Sequence, residues 1–343
     1  MIETYRAIEL QRFAPSFRAA SEIINLEWRA PGPGEIAVRN HWCGVNGIFD
    51  TQSARNAVAY IPITLPSLTG VEAIGVVEAV GAGVTGFAVG DAAAATRFRS
   101  GYREANIAPA DQFIRVPDAS RESLTIASTG VAALLVLEHG AQLSDGETVA
   151  VSAAAGGLGH LIVQLAKLRG CHVVAICGGP DKAEFLAQLG ADRVIDYKAQ
   201  DVAAVLAADY ANAIDVAIDT VGGTIFDSFL AQLAPHGRLI VSGAASDMDG
   251  QPEIITGPRV SHQLYYKAAS IRAFQNGRVT HLWPDARARL FALYAAGKLR
   301  IMFDAVPFNG LASAYDAVER LLSGQTSGKV VIALDPANNT GEN

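Results

Sequence analysis

Residues 148–159, TVAVSAAAGGLG, place an apolar run, a turn of small residues and the start of a helix in the order that binding a dinucleotide pyrophosphate requires. Ala155, Gly156, Gly157 and Leu158 are the candidate phosphate contacts. Gly156 lets backbone N–H groups approach the anion, Gly159 lets the helix pack closely on the strand, and the helix presents its positive dipole end. Ala154 replaces the first glycine of G-x-G-x-x-G, so a plain tight strand-to-helix turn is the competing reading of this segment taken alone. Its surroundings favour the dinucleotide. Apolar strands are predicted at 171–177, at 214–219 leading into Val221, Gly222 and Gly223, and at 237–241 ending on Ser242 and Gly243. With helices between them, they predict an α/β fold with a doubly wound parallel sheet and a ligand crevice at the strands' carboxyl ends.

The rest of the chain must position this site. At 343 residues, with 50% hydrophobic and 18% charged residues, the chain suits two domains with large cores. A formal net charge of −7 argues against nucleic acid or an anionic membrane as main partner. The N-terminus lacks the basic-then-apolar order of a signal peptide, and no long uninterrupted apolar segment occurs, so a cytoplasmic location is expected. Cys43, Cys171 and Cys177 show no C-x-x-C spacing and read as small core residues; His41 and Cys43 alone are too few for a metal. Residues 1–126 read as an antiparallel β domain, with short strands such as 35–40 and 75–80 between Gly, Pro and Asp turns. Residues 127–275 form the nucleotide domain. A helix at 285–296, a strand at 304–308, a helix at 311–322 and a strand at 329–334 find no place in it, so 276–343 is assigned back to the first domain. Residues 336–343 read as a polar, frayed tail.

Several blocks in order carry a resemblance: Gly44-Val45-Asn46, Leu65-Pro66 leading to Gly70-Val71-Glu72 and Gly75-Val76-Val77, Phe87 to Asp91, the AAAGGLG turn, 233–243 and 326–331. Over essentially its full length the chain resembles the zinc-independent branch of the medium-chain dehydrogenase/reductase superfamily. It is most similar there to quinone oxidoreductases and the prostaglandin reductase 3 group of enone reductases. The resemblance implies a Rossmann domain beside a GroES-like antiparallel β-barrel catalytic domain. Zinc-dependent members carry Cys where Asn46 stands and His where Val71 stands, and the four-cysteine structural-zinc lobe is missing. Without a Lewis acid, oxidation of a simple alcohol is difficult at neutral pH. The resemblance therefore implies reduction of an activated substrate.

At the end of the second nucleotide-domain strand, where NAD-dependent relatives place an acid on the ribose hydroxyls, stands Cys177, followed by Gly178 and Gly179. The glycines leave room for a phosphate. Lys182 and Tyr197 match the positions that hold the 2′-phosphate in NADP-dependent relatives, which implies NADPH; Asp181 argues mildly against it, and Lys182 also reads as a solvated lysine of a first helical turn. Val221, Gly243 and Phe274 match positions near the cofactor. Asn46 matches the family's active-site asparagine, and Tyr60 the tyrosine facing the substrate cleft, as proton donor or oxyanion stabiliser; a loop tyrosine covering the domain edge is the alternative. Ala133-Leu134 interrupts the family's T-A-Y block, and the family's aspartate falls one place late, at Asp50. Tyr265 and Tyr266 could line the cleft, although aromatic residues there more often pack. The expected activity is NADPH-dependent reduction of the C=C bond of an α,β-unsaturated ketone, with NADPH:quinone oxidoreduction as alternative and non-catalytic NADPH binding as a third reading. The apolar strand 270–274 resembles the edge through which relatives form homodimers.

Overall fold

The computed structural model describes residues 3–58, 60–247, 254 and 259–334. Two compact units emerge, Met1–Ser128 with Phe303–Asn343, and Thr129–Met302.

The first unit begins with β1 (Thr4–Leu10), α1 (Phe17–Ala20), β2 (Ser21–Glu27), β3 (Glu35–Gly44), α2 (Gly47–Ala54), β4 (Ser67–Leu68), β5 (Ala73–Val80), β6 (Ala92–Ala95), β7 (Ala105–Pro109), β8 (Ile114–Arg115) and α3 (Arg121–Thr125). The second unit runs through α4 (Val131–Leu135), β9 (Thr148–Val151), α5 (Gly159–Leu168), β10 (His172–Cys177), α6 (Pro180–Gln188), β11 (Arg193–Asp196), α7 (Val202–Asp209), β12 (Ile214–Asp219), α8 (Gly223–Ala231), β13 (Leu233–Val241), α9 (Ser261–Lys267), β14 (Ser270–Ala273) and α10 (Trp283–Ala295). The chain then returns to the first unit with β15 (Phe308–Asn309), α11 (Ala314–Leu322) and β16 (Val331–Ala333).

In the first unit a seven-stranded sheet has the order β15-β16-β3-β5-β6-β8, with β7 also paired to β3, and a smaller sheet has the order β2-β1-β4. Long β3 is the hub. Its Ile36 and Val38 pack with Val77 and Phe113, while its C-terminal end enters a second core with Ile8, Phe17, Val318 and Ile332. β3 and β5 approach so closely that a Cβ at Gly75 would lie 1.8 Å from the Arg39 carbonyl oxygen. α11 buries Ala314, Ala317 and Val318, and Asp316 and Glu319 take the Arg18 guanidinium of α1. The two core-forming helices are thus tied by charge as well as by apolar burial.

The second unit's sheet has the order β11-β10-β9-β12-β13-β14 and is parallel throughout. Strands such as HVVAIC are buried along nearly their whole length, as strands covered on both faces must be. The order reverses between β9 and β12, so the crevice opens beyond their carboxyl ends.

The structure departs from the sequence expectations in three places. Residues 276–302 group with the second unit, where α10 packs on α4, rather than with the first. Residues 304–307 do not form a strand, and of the predicted segment only Phe308 joins one: the Asp304 carboxylate accepts from Val306 N, Ser327 N and Arg320, bending the chain before β15. Tyr265 and Tyr266 do not pack inward; they are 81% and 78% exposed on α9. Among the described residues Arg121–Gly140 is the one helical run long and apolar enough to cross a membrane, and 67% of its most apolar stretch is buried inside the protein, as in a core helix.

Candidate functional site

In the second unit β9 ends at Val151, the turn carries Ala153 in the left-handed region at φ 44, and α5 starts at Gly159. A Cβ at Gly159 would lie 2.4 Å from the Ala153 carbonyl oxygen, which explains the glycine. Leu158 occupies the N-cap of α5 and makes no side-chain capping bond, so the N-terminal N–H groups have no side-chain acceptor. The N-caps of α6 and α8 are likewise uncapped glycines, Gly179 and Gly222. Three helices therefore start behind strand ends with N-termini suited to an anion. His160, fully buried, holds the turn from within: its Nε2 accepts from Met302 N at 3.2 Å, so Nδ1 carries the proton and donates to Gly156 O at 2.9 Å.

Ser152 and Asp219, not singled out from the sequence, lace the strand-end turns together. Ser152 Oγ donates to Asp219 Oδ1 at 2.7 Å, and the same fully buried carboxylate accepts from Val221 N at 3.0 Å and Gly222 N at 2.9 Å. Ser242 N donates to Asp219 O at 2.8 Å and Ser246 N to Val221 O at 2.8 Å, while a Cβ at Gly243 would come 3.0 Å from Thr220 O. Val221 and Gly243 are thereby brought to adjoining turns. The available signal was an acid closing the apolar strand IDVAID just before Val-Gly-Gly.

At the end of β10, Gly178 lies directly under Tyr197: an added Cβ would be 2.6 Å from the phenol oxygen. Burial, joined by the Asp196 carboxylate, pushes the Cys177 thiol up to about 11, with Lys182 pulling the other way. The Asp196 carboxyl is held below its ordinary value by Gly179 N at 2.7 Å and Lys198 N at 3.0 Å, so it is committed to the backbone. Asp181 is exposed. Tyr197 thus fills the space over Gly178, and Lys182 stands in the first turn of α6, which starts directly after Gly179. Phe274 is placed differently, with its ring buried against Gly140, where a Cβ would approach it to 3.2 Å.

In the first unit Asn46 follows β3 at the N-cap of α2. Its Nδ2 donates to Glu72 Oε1 at 2.8 Å, and Lys329 Nζ donates to Glu72 Oε1 at 2.5 Å, Val45 O at 3.0 Å and Asn46 Oδ1 at 3.4 Å. Glu72 is fully buried and Lys329 is 3% exposed. A Cβ at Gly44 would fall 2.3 Å from Glu72 Oε1, so glycine there makes room for the carboxylate. Glu72 and Lys329 were visible only as charges inside otherwise apolar blocks. Tyr60 stands on the turn after α2, 52% exposed. Among the described residues no group of three or more His, Cys, Asp or Glu side chains is placed to hold a metal ion.

Beneath Asn46, the buried Asp50 Oδ2 accepts from Tyr102 Oη at 2.6 Å and Asn46 N at 3.3 Å. Burial raises the Asp50 carboxyl from 3.8 to about 7, against the pull of the Tyr102 bond, and drives the Tyr102 phenol and the Cys43 thiol upward as well. Between about pH 4 and about pH 7 the folded protein keeps a proton that the unfolded chain has released, so Asp50's contribution to stability falls as pH rises. Asp50→Asn, neutral throughout, is expected to raise the thermal midpoint at about pH 8 and leave it unchanged at about pH 4. Calorimetry at both pH values checks this; an equal shift at each contradicts it.

Comparison with known proteins adds the following. Residues 32–118 match the family Alcohol dehydrogenase GroES-like domain, and residues 157–316 the family Zinc-binding dehydrogenase. The chain is 35% identical to prostaglandin reductase-3 of Mus musculus over 342 residues, 96% of this chain and 90% of that protein. The fold superposes on CurA of Vibrio vulnificus in complex with NADPH at a TM-score of 0.84 and 26% identity, covering 96% and 99% of the two chains. It superposes on Escherichia coli quinone oxidoreductase complexed with NADPH at 0.81 and 25% identity, with the same coverage.

Proposed function

Because the chain belongs to the medium-chain dehydrogenase/reductase superfamily, we propose that it is an NADPH-dependent, zinc-independent reductase of the activated C=C bond of α,β-unsaturated ketones. The observation carrying this reading is the full-length similarity to a prostaglandin reductase-3, joined to a parallel sheet whose order reverses between β9 and β12, with the small-residue turn before α5 at the end of β9. NADPH supplies a hydride when bound. The residues present fit it: the uncapped start of α5 and Ala155, Gly156, Gly157 and Leu158 would meet the pyrophosphate, Lys182 and Tyr197 the 2′-phosphate, and Val221 and Gly243 the nicotinamide half.

When the β-carbon of an enone accepts a hydride, negative charge develops on the carbonyl oxygen and needs a donor already in place. Asn46 and Tyr60 are the proposed donors. An alcohol would need a strong Lewis acid to lose its proton, whereas an enone is already polarised. The alternative is a quinone substrate, favoured by the likeness to Escherichia coli quinone oxidoreductase. NADPH oxidation followed with an aliphatic enone and with a p-quinone separates the two. Saturated ketone is the expected product, and turnover with the quinone alone would transfer the assignment. Tyr60→Phe is expected to lower kcat on the enone about tenfold, the value of one hydrogen bond in the transition state; an unchanged kcat would leave Tyr60 a loop residue.

We also propose a homodimer joined along β14, which closes one end of the second unit's sheet and has an open edge among the described residues. Light scattering should give twice the 35.9 kDa of one chain, and a monomer would refute the assignment. The acidic balance disfavours nucleic acid or an anionic membrane as a partner, and a cytoplasmic location is part of the same proposal.

A further inference from the structure

We infer that Lys329 and Glu72 are positioning residues that turn the Asn46 side-chain amide so that it presents an N–H, making Asn46 a donor to the oxygen that becomes negative during reduction. The inference rests on Asn46 serving the site as proposed above. An ammonium can only donate and a carboxylate only accept, so the two ends of the amide are assigned by their neighbours. Oδ1 faces Lys329 Nζ at 3.4 Å and Nδ2 faces Glu72 Oε1 at 2.8 Å. The flipped amide would set its NH2 group against the ammonium and its oxygen against the carboxylate, two repulsive contacts between groups that water does not screen.

The arrangement is concentrated on one atom. Glu72 Oε1 takes both Lys329 and Asn46, while the buried Oε2 has no hydrogen-bond partner among the described residues. Gly44 leaves the space in which Oε1 sits. With one amide hydrogen committed to Glu72, the second Nδ2 hydrogen is the donor that remains. The ammonium at Oδ1 draws electron density from the amide and strengthens that donor.

The test replaces both charges by apolar groups of similar size, Glu72→Leu with Lys329→Met, which avoids stranding one buried charge. With NADPH and an enone, kcat is expected to fall about tenfold, while KM for NADPH stays within about twofold. In an Asn46→Ala background the same pair of changes should leave kcat within about threefold, because its effect passes through the missing amide. A purely structural role would give the same loss in both backgrounds, and that result would overturn the inference. Orientation is read without turnover from the side-chain amide signals of protein labelled with 15N-asparagine, Asn46 being identified by its loss in Asn46→Ala. The two amide protons should be widely split, with one shifted downfield by the carboxylate, and should collapse toward ordinary values in the double variant; no change there also overturns the inference. If the parent enzyme reduces neither enone nor quinone, the proposed activity fails, while the amide signals still decide how Asn46 is held.

Discussion

Lys182→Ala combined with Tyr197→Phe is expected to lower kcat/KM for NADPH about a hundredfold and leave kcat/KM for NADH within about threefold. A charge-assisted bond from an ammonium to a phosphate contributes about 1.5–3 kcal/mol and a phenol hydroxyl about 1 kcal/mol, and the sum corresponds to a factor near a hundred. The geometry supports a joint effect. The Tyr197 ring lies over Gly178 closely enough that a Cβ would reach 2.6 Å from its oxygen, and Lys182 stands in the first turn of α6, which follows Gly179 directly. Asp196 is held by Gly179 N and Lys198 N, so its carboxylate is fixed by the backbone at the end of β11. NADH lacks the 2′-phosphate, so it serves as the internal control in steady-state kinetics. Equal loss with both cofactors would mean that the pair only packs, and no loss with either would place the phosphate elsewhere.

Lys329→Met alone is expected to cost about 3–5 kcal/mol of stability, whereas Lys329→Met with Glu72→Leu should recover most of that loss. The single change leaves a fully buried carboxylate with Asn46 as its one remaining hydrogen-bond partner among the described residues, since Oε2 has none there. An ion pair taken out of water gains little over an apolar pair of the same volume, yet half of such a pair is expensive. Urea denaturation of the two variants and the parent decides the matter. Equal destabilisation by the single and the double change would show that shape rather than charge governs this part of the first unit's core.

Local pattern carried the nucleotide unit well. The AAAGGLG turn, the apolar strands and the glycines at their ends are signals within a few residues of each other, and α5 begins at Gly159, the last residue of that turn motif. What failed was placement across the chain. The 285–296 segment reads as a helix, but nothing within it says that the partner is α4 rather than the first unit. Asp304 looked like part of a strand because its neighbours are apolar, while its carboxylate takes the backbone N–H groups that a strand would have used. Glu72 and Lys329 are 257 residues apart, so no periodicity could pair them. Asp219 was legible only as an acid at a strand end; that it cross-links two turns through Ser152 is a property of the folded sheet.

The central claim is transfer of a hydride to the β-carbon of an enone. NADPH carrying deuterium at the transferable position of C4, incubated with the protein and an aliphatic enone, tests it in one reaction. The account predicts a saturated ketone with one deuterium at the β-carbon, found by mass and located by NMR. An allylic alcohol deuterated at the carbonyl carbon, or NADPH consumed with a quinone while the enone is recovered intact, would contradict it.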